Sequence, residues 1–110
     1  ALMQNIITTE PLGYLDFQRL MSGAKLVITD SGGVQEETTA LQIPCITLRD
    51  NTERPITETV GTNIVTGLNI HKLEELFALI QSNKWKPSSI PDLWDGKTAE
   101  RVKGVLENIL

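Results

Sequence analysis

The sequence predicts an α/β fold, a parallel sheet with helices on its faces. Three observations predict it. Short β-branched runs alternate with segments whose apolar residues recur at helical spacing. Each strand-like run ends in a turn rich in Gly, Pro, Asn or Asp that leads into a helix. The resulting order, βαβαβαβ and then helices, sets successive strands side by side and parallel.

Ile6-Ile7-Thr8-Thr9 is short and β-branched and predicts the first strand. Glu10 to Gly13 is a turn. From Tyr14 to Ser22, Tyr14, Phe17, Leu20 and Met21 fall at helical spacing, and Gly23 marks the helix end. Lys25 to Thr29 is the second strand, Asp30-Ser31-Gly32-Gly33 a tight turn, and Val34 to Leu41 a helix. Cys45 to Leu48 is the third strand, and Arg49 to Arg54 a polar loop. Pro55 suits the first turn of a short helix ending near Gly61. Asn63-Ile64-Val65 is a short fourth strand. Asn69 is a good N-cap for a helix whose Leu73, Leu76, Phe77 and Ile80 form a core-facing stripe. Residues 84–96, with Trp85, Pro87, Pro91 and Trp94, are a surface-packed connector. Thr98 to Leu110 is a final helix with Ala99, Val102, Val105, Leu106 and Ile109 on one side.

Composition bounds the function. At 110 residues the chain suits one domain. With 40% hydrophobic and 22% charged residues it is globular in type. A net charge of −4 argues against nonspecific nucleic-acid binding. No apolar run approaches the roughly 18 residues that would cross a bilayer. Ala1 to Asn5 carries no basic leader and no starter Met, and opens just ahead of an apolar stretch, so a fragment of a cytoplasmic protein is expected. Cys45 stands alone in an apolar run and reads as a core thiol, and His71 is the single histidine. A local disulfide, a His-rich zinc site and a Ser-His triad are therefore excluded.

In parallel sheets ligands bind beyond the carboxyl ends of the strands, which points to three loops: Glu10–Gly13, Asp30–Gly33 and Arg49–Arg54. In the second, a strand runs into two glycines and a helix begins at once. Backbone without Cβ atoms admits a ligand closely, and the unpaired first N–H groups of the helix favour an anion. Ser31, Gly32 and Gly33 thus suit a phosphate. Alone, the tetrapeptide reads first as an ordinary helix start capped by Ser31 or Asp30. Glu37 lies one turn below Gly33, spaced to accept both hydroxyls of a ribose, or else is a solvated charge. Glu36 points about 100° away and reads as solvated. Arg54 offers a fork for phosphate, but a loop arginine is more often solvated or paired with Glu53 or Asp50. Phe17 reads as core packing or as the wall of a base pocket, and the backbone near Leu12 could meet a base edge.

Taken together, Glu10-Pro11-Leu12-Gly13-Tyr14-Leu15-Asp16-Phe17, Thr29-Asp30-Ser31-Gly32-Gly33-Val34-Gln35-Glu36-Glu37, Pro44 and Arg49-Asp50-Asn51-Thr52-Glu53-Arg54-Pro55 resemble the non-hydrolysing UDP-N-acetylglucosamine 2-epimerases. The resemblance runs through Leu93-Trp94-Asp95-Gly96-Lys97-Thr98-Ala99-Glu100-Arg101. It implies a Rossmann-like domain, the C-terminal half of a GT-B architecture, with residues 1–110 as the nucleotide-binding domain and an N-terminal domain lying outside them. It implies interconversion of UDP-GlcNAc and UDP-ManNAc through elimination and re-addition of UDP, with a 2-acetamidoglucal between. By position, Ser31, Gly32 and Gly33 would bind the diphosphate, Glu37 the ribose and Arg54 the phosphate end. Phe17 would line the uracil pocket and the Leu12 backbone would read the base. The proton-moving carboxylates and histidine would lie in the N-terminal domain, so no catalytic residue, metal ligand or cofactor is expected here.

The expected partner is UDP or a UDP-N-acetylhexosamine, not nucleic acid or a membrane, and the full-length enzyme is expected as a homodimer. The last helix of a GT-B protein crosses onto the other domain. The apolar side formed by Ala99, Val102, Leu106 and Ile109 should then pack locally, pair with another copy, or stay exposed. One departure stands out: Gln42 occupies a position where the family usually has Gly, and a left-handed cap there would cost roughly 1 kcal/mol. The alternatives are the UDP-sugar half of a GT-B glycosyltransferase and a non-catalytic nucleotide-binding module. A flavodoxin-like signalling domain is disfavoured, because no acidic cluster follows the first strand.

Overall fold

The computed structural model describes residues 4–110; the opening residues read above as lacking a leader lie partly outside that range. Helix α1 (Tyr14–Ser22) leads through strand β1 (Val27–Thr29) into helix α2 (Gly32–Leu41) and strand β2 (Cys45–Thr47). A short helix α3 (Pro55–Thr59), strand β3 (Asn63–Val65), helix α4 (Ile70–Gln81) and helix α5 (Thr98–Ile109) follow. The three strands are parallel in the order β1-β2-β3, with Val27 opposite Cys45 and Cys45 opposite Asn63. Helix α2 packs across all three strands.

The first predicted strand does not form. Ile6 and Ile7 are 55% and 89% exposed, and among the described residues no backbone hydrogen bond ties Ile6 to Thr9 to the sheet. A strand is stable only when a neighbour completes its ladder, and this segment has none. The α4 stripe is likewise only partly covered. Leu76 is buried, Leu73 and Ile80 are half-buried, and Phe77 stays 42% exposed. A three-stranded sheet is too narrow to cover the whole stripe.

The centre of the molecule is unusually polar. Met21, Cys45, Ile46 and Leu76 are buried, but so are Gln35, Thr38, Thr39, Thr47, Thr57, Thr62 and Asn63. Burial pushes the Cys45 thiol up, even though Thr38 and Thr47 hydrogen-bond it, so it is an inert core group. The connector after α4 is stapled to the β3 region: the Trp85 indole donates to the Thr62 carbonyl at 2.8 Å, and Lys86 Nζ donates to the carbonyls of Glu58 and Asn63. Desolvation pulls the Lys86 amine down, and the nearby Glu58 charge opposes that shift.

Helix α5 has no buried residue. Val102, Val105, Leu106 and Ile109 are 50%, 57%, 49% and 72% exposed, so of the outcomes expected for this helix, packing on the local sheet is not the one found. The molecule extends 64 × 29 × 25 Å, with a radius of gyration of 16.7 Å. A compact domain of about 100 residues measures about 13 Å. Among the described residues no helix is long and apolar enough to cross a membrane.

Two backbone positions are set by sterics. Gln42 does take the left-handed cap, with φ 58° and ψ 39°. Its side-chain Nε2 donates to the Thr39 carbonyl at 2.7 Å, and Ile43 N–H closes the turn onto Thr38. At Gly61, a Cβ would stand 2.4 Å from Thr39 Oγ1 and 2.7 Å from the Thr57 carbonyl, so only glycine lets β3 approach α2. We expect Gly61→Ala to destabilise the chain by about 1–3 kcal/mol in urea titration. Gln42→Gly should instead raise stability by up to ~1 kcal/mol, the strain exceeding the lost amide contact.

Candidate functional site

The amino end of α2 lies beyond the carboxyl end of β1, and the 49–54 loop beyond that of β2, as ligand placement in parallel sheets requires. Ser31 is extended (φ −89°, ψ 131°) and caps α2 through its hydroxyl, which accepts from Val34 N–H at a long 3.5 Å. Its own N–H donates to Thr29 Oγ1 at 3.0 Å, which fixes the turn out of β1. Ser31 and Gly33 are exposed and Gly32 is half-buried, so the helix end is open.

The two glycines differ in what demands them. A Cβ on Gly32 would stand 3.2 Å from Arg54 Cζ and 3.3 Å from its Nη1, because the guanidinium lies against the first turn. At Gly33 the nearest atom would be Ser31 Oγ at 3.9 Å. The chain's own packing therefore leaves room above Gly33 for an incoming group.

Arg54 is ion-paired although its side chain remains 37% exposed. Its Nε donates to Glu36 Oε1 at 2.5 Å, and Nη1 lies 3.6 Å from Glu53 Oε2. The carboxylate expected to be merely solvated, Glu36, is thus the main partner of Arg54. Glu37 is half-buried, and among the described residues its carboxylate makes no hydrogen bond or ion pair, so its acceptors are open.

Beneath these groups lies a buried network that the sequence reading missed. Gln35 Nε2 donates to the Ser31 carbonyl at 3.2 Å. Its Oε1 accepts from Thr52 Oγ1 at 2.6 Å and from Asn63 Nδ2 at 3.1 Å. Thr52 Oγ1 in turn accepts from the Arg54 N–H at 2.9 Å. Asn63 also donates to Thr57 Oγ1 at 3.2 Å and accepts from Thr47 Oγ1 at 2.6 Å. The signal was present: Gln35, Thr38, Thr39 and Gln42 fall at i, i+3, i+4 and i+7, a polar stripe where a core-facing one is due.

Leu12 and Phe17 form a second group. They are 42% and 36% exposed and line one open groove with Thr9, Glu10, Pro11 and Leu20, of about 430 Å³. Helix α1, which carries Phe17, packs beside α2. The structure thus brings Ser31, Gly32, Gly33 and Arg54 together and sets Glu37 one turn along α2, while Leu12 and Phe17 share a groove that none of those residues lines. Among the described residues no group of three or more His, Cys, Asp or Glu is arranged to hold a metal.

The family model described as UDP-N-acetylglucosamine 2-epimerase matches residues 1–107. This chain belongs to the UDP-N-acetylglucosamine 2-epimerase family. It is 48% identical over 99 residues to the UDP-N-acetylglucosamine 2-epimerase of Methanocaldococcus jannaschii, covering 88% of this chain and 26% of that protein. It is 46% identical over 110 residues to the Yersinia pestis enzyme of the same description, covering 96% of this chain and 29% of that one. The structure of the Methanocaldococcus jannaschii epimerase in complex with UDP-GlcNAc and UDP superposes with a TM-score of 0.73 at 46% identity, over 91% of this chain and 27% of that one. The α/β class expected from the sequence, of Rossmann-like GT-B type, is therefore the one found, and the chain spans little more than a quarter of its relatives' length.

The Gln35 network makes a stability prediction. Gln35→Met keeps the volume but removes the acceptor of the Thr52 hydroxyl proton and of one Asn63 amide N–H, and the donor to the Ser31 carbonyl. Each buried donor left without an acceptor costs about 1–3 kcal/mol. Chemical denaturation should show a loss of ~2 kcal/mol or more, and amide exchange at Thr52 to Arg54 should quicken.

Proposed function

We propose that this chain is the UDP-binding domain of an epimerase that interconverts UDP-GlcNAc and UDP-ManNAc, working with a further domain outside residues 1–110. The observation that carries the reading is the open, glycine-lined amino end of α2 with the Arg54 guanidinium lying against it. The N–H groups of Gly32, Gly33 and Val34 have no earlier carbonyl in the helix to bond, and the helix dipole adds positive potential there. In this proposal Ser31, Gly32 and Gly33 take the diphosphate and Arg54 its phosphate end. Glu37 accepts the ribose hydroxyls. The Leu12 backbone and Phe17 hold the uracil along the α1 groove.

The chemistry assigns this domain one task. Elimination removes the C2 proton and breaks the C1–O bond, leaving a 2-acetamidoglucal and UDP. The β-phosphate gains charge as that bond breaks, so fixed donors around it stabilise the leaving group without reorganising. The same donors keep UDP in place for re-addition to C1 of the C1=C2 double bond, while a proton returns to either face of the planar C2. Proton transfer falls to groups outside this chain.

Three results test the proposal. Calorimetry should show UDP binding that Gly32→Ala weakens about tenfold, because the new Cβ displaces the guanidinium. Glu37→Ala should weaken UDP but leave 2′,3′-dideoxy-UDP unchanged. The chain alone should form no UDP-ManNAc from UDP-GlcNAc. Turnover by the chain alone, or indifference to both substitutions, contradicts the assignment.

A further inference from the structure

We infer that Glu36 is a positioning residue: its carboxylate holds Arg54 by Nε so that the guanidinium lies over Gly32, ready for a diphosphate. The inference rests on the diphosphate reading of the α2 end given above.

An arginine side chain has four rotatable torsions, so a loop arginine needs fixing at both ends to act as a preformed donor. The backbone end is fixed by Thr52, which accepts the Arg54 N–H at 2.9 Å and is itself anchored at 2.6 Å on the buried Gln35. The guanidinium end is fixed by Glu36 at 2.5 Å. Gly32 and Glu36 are four residues apart and share one row of α2, so the carboxylate and the Cβ-free surface lie in line beneath the guanidinium. With Nε engaged by Glu36 and Nη1 near Glu53, Nη2 has no protein partner among the described residues. Among the same residues Nη1, 3.6 Å from Glu53, makes no hydrogen bond either, so the N–H groups of both terminal nitrogens are left for a ligand.

A carboxylate beside an anion site is otherwise unfavourable, and that gives the inference its sign. Were Glu36 a bystander, its charge would repel the diphosphate and its removal would tighten UDP binding. As a clamp, its removal frees Arg54 and weakens binding.

The test is UDP titration of the chain, followed by 15N–1H spectra that include the Arg54 Nε–Hε resonance. Wild type, Glu36→Ala, Glu36→Gln, Arg54→Ala and the Glu36→Ala/Arg54→Ala double variant are compared. Glu36→Ala should weaken UDP about tenfold and Glu36→Gln, which keeps a neutral acceptor, by less. The Nε–Hε proton should lose its exchange protection in Glu36→Ala while the thermal midpoint holds. In the Arg54→Ala background, removing Glu36 should leave UDP affinity unchanged or raise it. Wild type that binds UDP, with Glu36→Ala binding as well or better, overturns the clamp but leaves the diphosphate reading standing. So does a Glu36→Ala penalty that persists without Arg54. If Glu36→Ala does not fold, Glu36→Gln at or above wild-type affinity overturns it. Wild type that fails to bind UDP overturns the diphosphate reading, and the clamp with it.

Discussion

The side-chain amide of Gln35 is the joint on which the candidate site depends. It sits almost wholly inside, 1% exposed, and its two ends serve different parts of the chain. The nitrogen holds the Ser31 carbonyl at the entrance of α2; the oxygen holds Thr52 in the loop after β2 and Asn63 at the start of β3. A buried amide of this kind is costly unless all its partners are present, and for that reason it locks one relative placement of turn, loop and strand. An apolar side chain in its place would fill the space without dictating where the loop goes.

That constraint accounts for the polar core. The stripe of α2 that faces the sheet is Gln35, Thr38 and Thr39, and Thr38 spends its hydroxyl on the carbonyls of Val34 and Gln35 within its own helix. Gly61 lets β3 come close enough for Asn63 to reach Gln35 and Thr47 together. Stability is thereby traded for position: few apolar side chains are fully buried, and what the interior specifies best is the geometry of the helix end and of Arg54.

Local signals in the sequence carried most of the elements. The bounds of α1, the Asn69 cap of α4 and the Pro55 start of α3 follow from spacing and cap chemistry close along the chain. The strand at Ile6–Thr9 did not follow, because β propensity says nothing about whether a neighbouring strand exists. The glycines, Arg54 and Glu37 were legible as a loop constellation. The pair Arg54–Glu36 and the network from Gln35 to Asn63 were not, since they join residues 18 and 28 positions apart and no local period reports them. The left-handed turn at Gln42 was legible only against the glycine expected there. The apolar side of α5 was legible from periodicity, but that period does not say what it packs against, and it stays exposed.

The most direct measurement of the central claim, that the open end of α2 with Arg54 over it takes the diphosphate, is a crystal structure of the chain soaked with UDP. The expected density places the phosphates at the N–H groups of Gly32 and Gly33, within hydrogen-bond reach of Arg54. Phosphates bound elsewhere, for example in the groove between Lys25 and Lys84 at the opposite end of the strands, contradict it.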